Sequence, residues 1–139
     1  MNRFVVDASV AVKWFVPEVQ SIQASRLFDT ESVLAAPDCL GIEVANTLWK
    51  KVRRGELEKN KALEILAGLA ALPIEVFPSN ALLPSALQLA LSLDRTVCDS
   101  LYLALALSLD VVLVTADEKF ASAVRATPYF GHVQVLAEN

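Results

Sequence analysis

Four acidic residues, Asp7, Glu43, Asp99 and Asp117, sit where a fold could bring them together. Asp7 directly follows the apolar run Phe4-Val5-Val6, and Asp117 comes just after the β-branched run Val111–Val114. Asp99 falls in the first turn of the helical stretch Val97–Leu109, and Glu43 lies near the start of a longer one. In an open parallel sheet, strand carboxyl ends and helix amino ends meet along one edge, where ligands bind. Each acid also has a local explanation. Asp7 and Asp117 suit caps of the helices that follow them, and Thr96-Val97-Cys98-Asp99 reads as a capping box. Glu43, with Asn46 and Thr47 as neighbours, suits a solvated helix face.

Electrostatics separates these readings. Two carboxylates about 6 Å apart repel by roughly 3 kcal/mol at an effective dielectric near 20, and four compound the cost. Such a cluster persists only with a cation or by taking up protons. Oxygen donors without Cys or His point to Mg²⁺ or Mn²⁺ rather than zinc. Acid/base chemistry built on two imidazoles is excluded, because His132 is the only histidine. Cys39 and Cys98 lie far apart without C-x-x-C spacing, so neither a zinc site nor a disulfide is indicated, and both are expected to be small buried residues.

The elements that must position the acids follow from periodicity. Strands are expected at Phe4–Val6, Ser32–Ala36, Ile74–Phe77, Val111–Val114 and Val133–Leu136. Helices are expected at Ala8–Phe15, from Pro17 to about Phe28, and at Cys39–Arg54, Glu58–Leu72, Leu83–Leu93, Val97–Leu109 and Asp117–Ala126. In Cys39–Arg54, Glu43, Thr47, Lys50 and Arg54 fall at i, i+4, i+7 and i+11 on one face. The hexapeptide LALSLD, at Leu89–Asp94 and again at Leu105–Asp110, reads as two alike helix ends rather than a solenoid repeat. Short strands alternating with helices require a three-layer α/β/α domain whose central sheet of four to five short strands is mainly parallel.

The 139 residues form one domain, 1–139, with no linker, and a chain that is 55% hydrophobic can bury enough surface to exclude disorder. Charge-free apolar stretches fall short of the roughly 20 residues of a membrane span. Asp7 and Lys13 interrupt the N-terminal apolar stretch, so no secretory signal is expected and the protein is placed in the cytoplasm, without membrane association. The net charge of −4 opposes nucleic-acid binding through overall charge but leaves room for a local basic face. Lys50, Lys51, Arg53 and Arg54 supply one, with Lys50 and Arg54 as candidate RNA phosphate contacts, unless these cations only complement the helix dipole. Val12, Trp14, Phe15 and Val16 concentrate apolar bulk that is hard to bury completely, and the remainder suggests a partner surface.

Four motifs, F-V-V-D-A-S at Phe4–Ser9, I-E-V-A-N-T-L at Ile42–Leu48, V-C-D-S-L-Y-L-A-L-A at Val97–Ala106 and L-V-T-A-D-E at Leu113–Glu118, resemble in order the acidic motifs of PIN-domain ribonucleases. At this length the chain is most similar to the VapC toxins of type II toxin–antitoxin pairs. The resemblance implies a catalytic quartet of Asp7, Glu43, Asp99 and Asp117. Asp7 and Asp99 would be the most direct metal ligands, Asp117 would complete the site, and Glu43 would bind a second ion or orient water. Ser9 and Thr115 match the hydroxyl positions that hold the carboxylates in place, and Glu118 is a substitute ligand. It further implies Mg²⁺-dependent (or Mn²⁺-dependent) endoribonuclease activity leaving 5′-phosphate and 3′-hydroxyl ends, a homodimer, and silencing by a cognate VapB-type antitoxin. The competing readings are a receiver-like phosphorylatable Mg²⁺-binding domain, which would need a lysine after its last strand, and a PIN nuclease or binding module that is not a toxin.

Overall fold

A computed structural model describes residues 2–28 and 31–136. Its strands are β1 (Arg3–Val6), β2 (Val33–Pro37), β3 (Ile74–Phe77), β4 (Val112–Thr115) and β5 (Val133–Val135), all parallel, in the order β3-β2-β1-β4-β5. The helices are α1 (Ala8–Ala11), continued by a 3₁₀ turn at Val12–Trp14, α2 (Ser21–Ser25), α3 (Leu40–Arg53), α4 (Lys59–Ala70), α5 (Leu83–Leu93), α6 (Val97–Leu109) and α7 (Glu118–Arg125). The chain builds outward from β1 to β3, then crosses back to add β4 and β5 on the other side of β1. That reversal makes the carboxyl ends of β1 and β4 the crevice of the sheet. A receiver-like domain would instead follow the order 2-1-3-4-5.

Strand periodicity divides the core. Val5, Ala35 and Leu113 are buried with α3 to α6 on one face, while Val6, Leu34 and Val114 are buried with Val10 and Ala24 on the other, thinner face. Helix α6 lies at the centre, with Ser100 through Ala106 buried without interruption, as befits a helix that is apolar all round. Thr96 caps it by accepting the Asp99 N–H at 3.1 Å, which keeps Asp99 at the end of the helix that faces the crevice. The two LALSLD segments close alike: Asp94 ends α5 and Asp110 ends α6, both left-handed at φ 54° and 55°. Aspartate tolerates this conformation better than most residues. Among the described residues, no helix is long and apolar enough to cross a membrane.

The second helix departs from expectation. Periodicity predicts it from Pro17 to about Phe28, but α2 covers only Ser21–Ser25. The Ser21 hydroxyl accepts the Glu18 N–H at 2.8 Å, and Gln20 adopts φ 69°, its side chain donating to the Leu136 carbonyl at 3.1 Å. Side-chain capture of the backbone replaces the first helical turn with a fixed loop. The cysteines also differ from expectation: Cys39 is half-buried and Cys98 is exposed, because the first turn of α6 projects beyond the packed core.

Leu103 is fully buried in α6. Leu103→Ala is expected to lower unfolding stability by about 2–5 kcal/mol through the cavity it leaves, measured by denaturant titration; a loss under ~1 kcal/mol would contradict this packing.

Candidate active site

One cavity of about 420 Å³ opens at the crevice, and Asp7, Glu43, Asp99 and Asp117 all line it. The elements deliver them separately: Asp7 from the end of β1, Glu43 from the first turn of α3, Asp99 from the first turn of α6, and Asp117 from the turn after β4. Lys13, Glu18, Thr47, Lys50, Lys51, Arg54 and Tyr102 line the same space. Thr47, Lys50 and Arg54 thus share the Glu43 face of α3, as their spacing predicts.

Asp7 is the most constrained of the acids. Its Oδ1 accepts the Ser9 hydroxyl at 2.5 Å and the Val10 N–H at 3.2 Å, and its Oδ2 accepts the Thr115 hydroxyl. Ser9 Oγ in turn accepts the Ala116 N–H at 2.9 Å, and Thr115 Oγ1 accepts the Asp117 N–H at 3.1 Å. The two hydroxyls therefore tie β1 to the turn after β4 through Asp7. Burial pushes the Asp7 pKa up to about 6, against the lowering effect of these hydrogen bonds, and the nearby Asp99 charge raises it further.

Glu43 and Asp99 share this electrostatic strain. Burial raises the Glu43 pKa, with a further rise from Asp99. Burial also raises that of Asp99, to which Asp117 adds, while the Thr96 hydroxyl and Arg95 oppose the shift. Asp99 thus feels or exerts repulsion toward all three partners. Asp117 has both oxygens engaged: Oδ1 accepts the Phe120 N–H at 3.0 Å as the cap of α7, and Oδ2 pairs with Arg95 at 3.2 Å. The capping explanation therefore holds for Asp7 and Asp117, and it coexists with their place in the cavity.

Among the described residues, no three acidic, cysteine or histidine side chains are disposed to enclose a metal ion by themselves. Mg²⁺ does not need such a cage, since it keeps several waters and uses one or two carboxylates together with substrate phosphates. An all-oxygen donor set in which Asp7, Glu43 and Asp99 are pushed toward protonation, around a cavity with room for a hydrated ion, fits that requirement.

Several lining or adjoining residues escaped the sequence reading. Arg95, next to the left-handed Asp94, carries the cation nearest Asp117 and gave no periodic signal. The Tyr102 hydroxyl is buried without a partner of hydrogen-bonding geometry among the described residues, and burial together with Glu43 pushes its pKa up. Tyr102 was visible only as part of the Leu-rich α6 motif. Arg53 stacks on Trp49 at 4.9 Å and is not part of the cavity lining. Glu118 is exposed and outside the lining. His132 lies apart from the acids, its Nδ1 3.0 Å from the Val111 carbonyl.

Compared with known proteins, residues 4–126 match the PIN domain family. The chain is 37% identical over 121 residues to ribonuclease VapC3 of Pyrobaculum aerophilum, an alignment covering 86% of this chain and 92% of that protein. Its fold is similar to that of PAE2754 from Pyrobaculum aerophilum, with a TM-score of 0.72, 23% identity, and coverage of 97% of this chain and 84% of the other. It is likewise similar to VapBC2 from Rickettsia felis bound to a promoter DNA fragment, with a TM-score of 0.69, 13% identity, and coverage of 97% and 99%. At those identities the structural likeness speaks for the fold.

The raised Asp7 pKa has a definite sign. Between about pH 4 and 6 the folded protein retains a proton that the unfolded chain has released, so this carboxyl's contribution to stability is present at low pH and is lost as pH rises through about 6. In a chelator, the melting temperature of Asp7→Asn relative to wild type is expected to rise by on the order of 5 °C between pH 4 and pH 7. A flat or falling difference would show that Asp7 ionises as readily folded as unfolded.

Proposed function

The chain belongs to the PIN-domain family, and from that premise we propose that it is a metal-dependent endoribonuclease acting as the toxin of a toxin–antitoxin pair. The observation that carries this reading is one cavity that brings together Asp7, Glu43, Asp99 and Asp117, three of them pushed toward protonation by burial and by neighbouring acids. The relative VapC3, named a ribonuclease, supplies the substrate class.

Asp7 and Asp99 would hold Mg²⁺ (or Mn²⁺) most directly, Asp117 would complete the ligand set, and Glu43 would support a second ion or orient water. When bound, such an ion draws in and polarises a phosphodiester and lowers the pKa of an attacking water, so no protein nucleophile is needed. Attack by water with departure of the 3′-oxygen, as the family resemblance implies, leaves 5′-phosphate and 3′-hydroxyl ends. Ser9 and Thr115 fix the Asp7 carboxylate in orientation, as partners behind a ligand generally must. Lys50 and Arg54, exposed along the α3 wall of the cavity, hold flanking RNA phosphates.

A VapB-type antitoxin completes the reading, supported by the likeness to VapBC2, and a homodimer belongs with it. Apolar surface for such contacts is present in the groove formed by Trp14, Phe15, Val16, Pro17 and Ile22. More lies along the exposed leucines Leu83, Leu87 and Leu91 of α5.

Cleavage of single-stranded RNA is expected to require added Mg²⁺, to stop with chelator, and to fall at least ~100-fold in Asp7→Asn and Asp99→Asn. Mg²⁺ should raise the melting temperature of wild type more than that of Asp99→Asn. Cleavage that survives chelation would defeat the metal mechanism.

Replacing Lys50 and Arg54 by glutamine together should weaken RNA binding and make the slope of log K against log salt shallower by about 1.4, at roughly 0.7 per phosphate contact on a single strand. Unchanged affinity and slope would return these cations to a role at the helix end.

A further inference from the structure

Lys13 and Lys51 are unusual lysines: their side chains are only 13% and 16% exposed, although both line the cavity. Lysine is rarely buried this far unless its charge is matched. The match is one carboxylate. Glu18 places Oε2 at 2.8 Å from Lys51 Nζ and Oε1 at 3.8 Å from Lys13 Nζ, and Lys13 also donates to the Val19 carbonyl at 2.7 Å. Glu18 is held at this spot by the Ser21 hydroxyl and by the left-handed Gln20, anchored to Leu136. The fixed loop that shortens α2 is thus the device that delivers an acid to the basic lining of a cavity that also holds the acidic quartet.

We propose that Lys13 and Lys51 form a phosphate subsite for the RNA backbone, beside the cleavage position, and that Glu18 occupies it in the free protein as a stand-in for the phosphodiester. The proposal rests on the ribonuclease reading for the identity of the polyanion. A carboxylate bridging two ammonium groups presents two acceptor oxygens and one negative charge. A phosphodiester presents the same through its non-bridging oxygens. The lysines are held in place by Glu18, so the subsite exists before substrate arrives. RNA must displace Glu18, whose side chain is 28% exposed and therefore has solvent to move into.

The exchange has a signature that an ordinary structural ion pair lacks. Where Glu18 neutralises the lysines internally, RNA binding there releases few salt ions. Without it, the lysines carry counterions that RNA must release, and the salt dependence steepens.

The test is equilibrium binding of a labelled single-stranded RNA, by fluorescence anisotropy in chelator across a salt series, to wild type, Glu18→Gln, Lys51→Gln and Lys51→Arg, each checked for its melting temperature. Glu18→Gln is expected to bind about 3–10-fold more tightly, with a slope steeper by up to about 0.7. Lys51→Gln is expected to bind about 10-fold more weakly, and Lys51→Arg to retain most of the affinity. Should Glu18→Gln prove unfolded, the comparison of Lys51→Gln with Lys51→Arg decides. Equal binding by wild type, Glu18→Gln and Lys51→Gln, or weaker binding by a folded Glu18→Gln, would overturn the subsite. RNA cleavage by wild type, assayed separately with Mg²⁺, tells that outcome apart from failure of the ribonuclease reading, since wild type would then still cut.

Discussion

The strongest constraint on this molecule is negative charge gathered where the sheet reverses. Parallel strands β1 and β4 end side by side, and the helices that start near them bring their own acids to the same edge. Two of these acids also serve as helix caps, and helix amino ends favour anions, so the fold tolerates each carboxylate singly. It does not neutralise them jointly. Arg95 answers Asp117, but Asp7, Glu43 and Asp99 have no ion-pair partner among the described residues, and all three are pushed toward protonation. A divalent cation and a proton are the two ways to relieve such a site, and the two would compete for the same oxygens.

The hydroxyls of Ser9 and Thr115 explain why Asp7 can lie so deep. An unpartnered carboxylate there would simply take up a proton, whereas hydroxyl and backbone donors hold part of the charge and fix the plane of the group. The same hydroxyls accept N–H groups from the turn after β4, so a change in that turn is felt at Asp7 directly. Positioning of the β1 acid and positioning of the β4 acid are one hydrogen-bonded unit, although more than a hundred residues separate them.

Much of this was legible in the sequence because it is periodic or terminal. An acid at a strand end, a helix apolar all round, and Glu43, Thr47, Lys50 and Arg54 at helical spacing each leave a local mark. The β-branched run at Val111–Val114 marks a central strand, and β4 does pair on both sides. What stayed hidden depends on partners distant in sequence. Pro17–Gln20 has an acceptable helical pattern, and only the capture of the Glu18 backbone by Ser21 and of Gln20 by Leu136 makes it a loop. Arg95 looks like a linker residue until Asp117 is placed beside it. The exposure of Cys98 follows from where α6 begins relative to the core, which helical spacing does not encode.

The arrangement also resolves how a chain of net charge −4 could accept a polyanion. Asp7, Asp99 and Asp117 reach the cavity from the ends of β1 and β4 and the start of α6, while Lys13, Lys50, Lys51 and Arg54 reach it from the 3₁₀ turn and α3. Beside the carboxylates a phosphate would need an intervening cation, whereas beside the lysines and the arginine it would not. Glu18 extends this logic to the empty protein. Two poorly solvated lysines facing one space need an opposite charge, and an acid that can leave supplies it without barring the phosphate that would replace it.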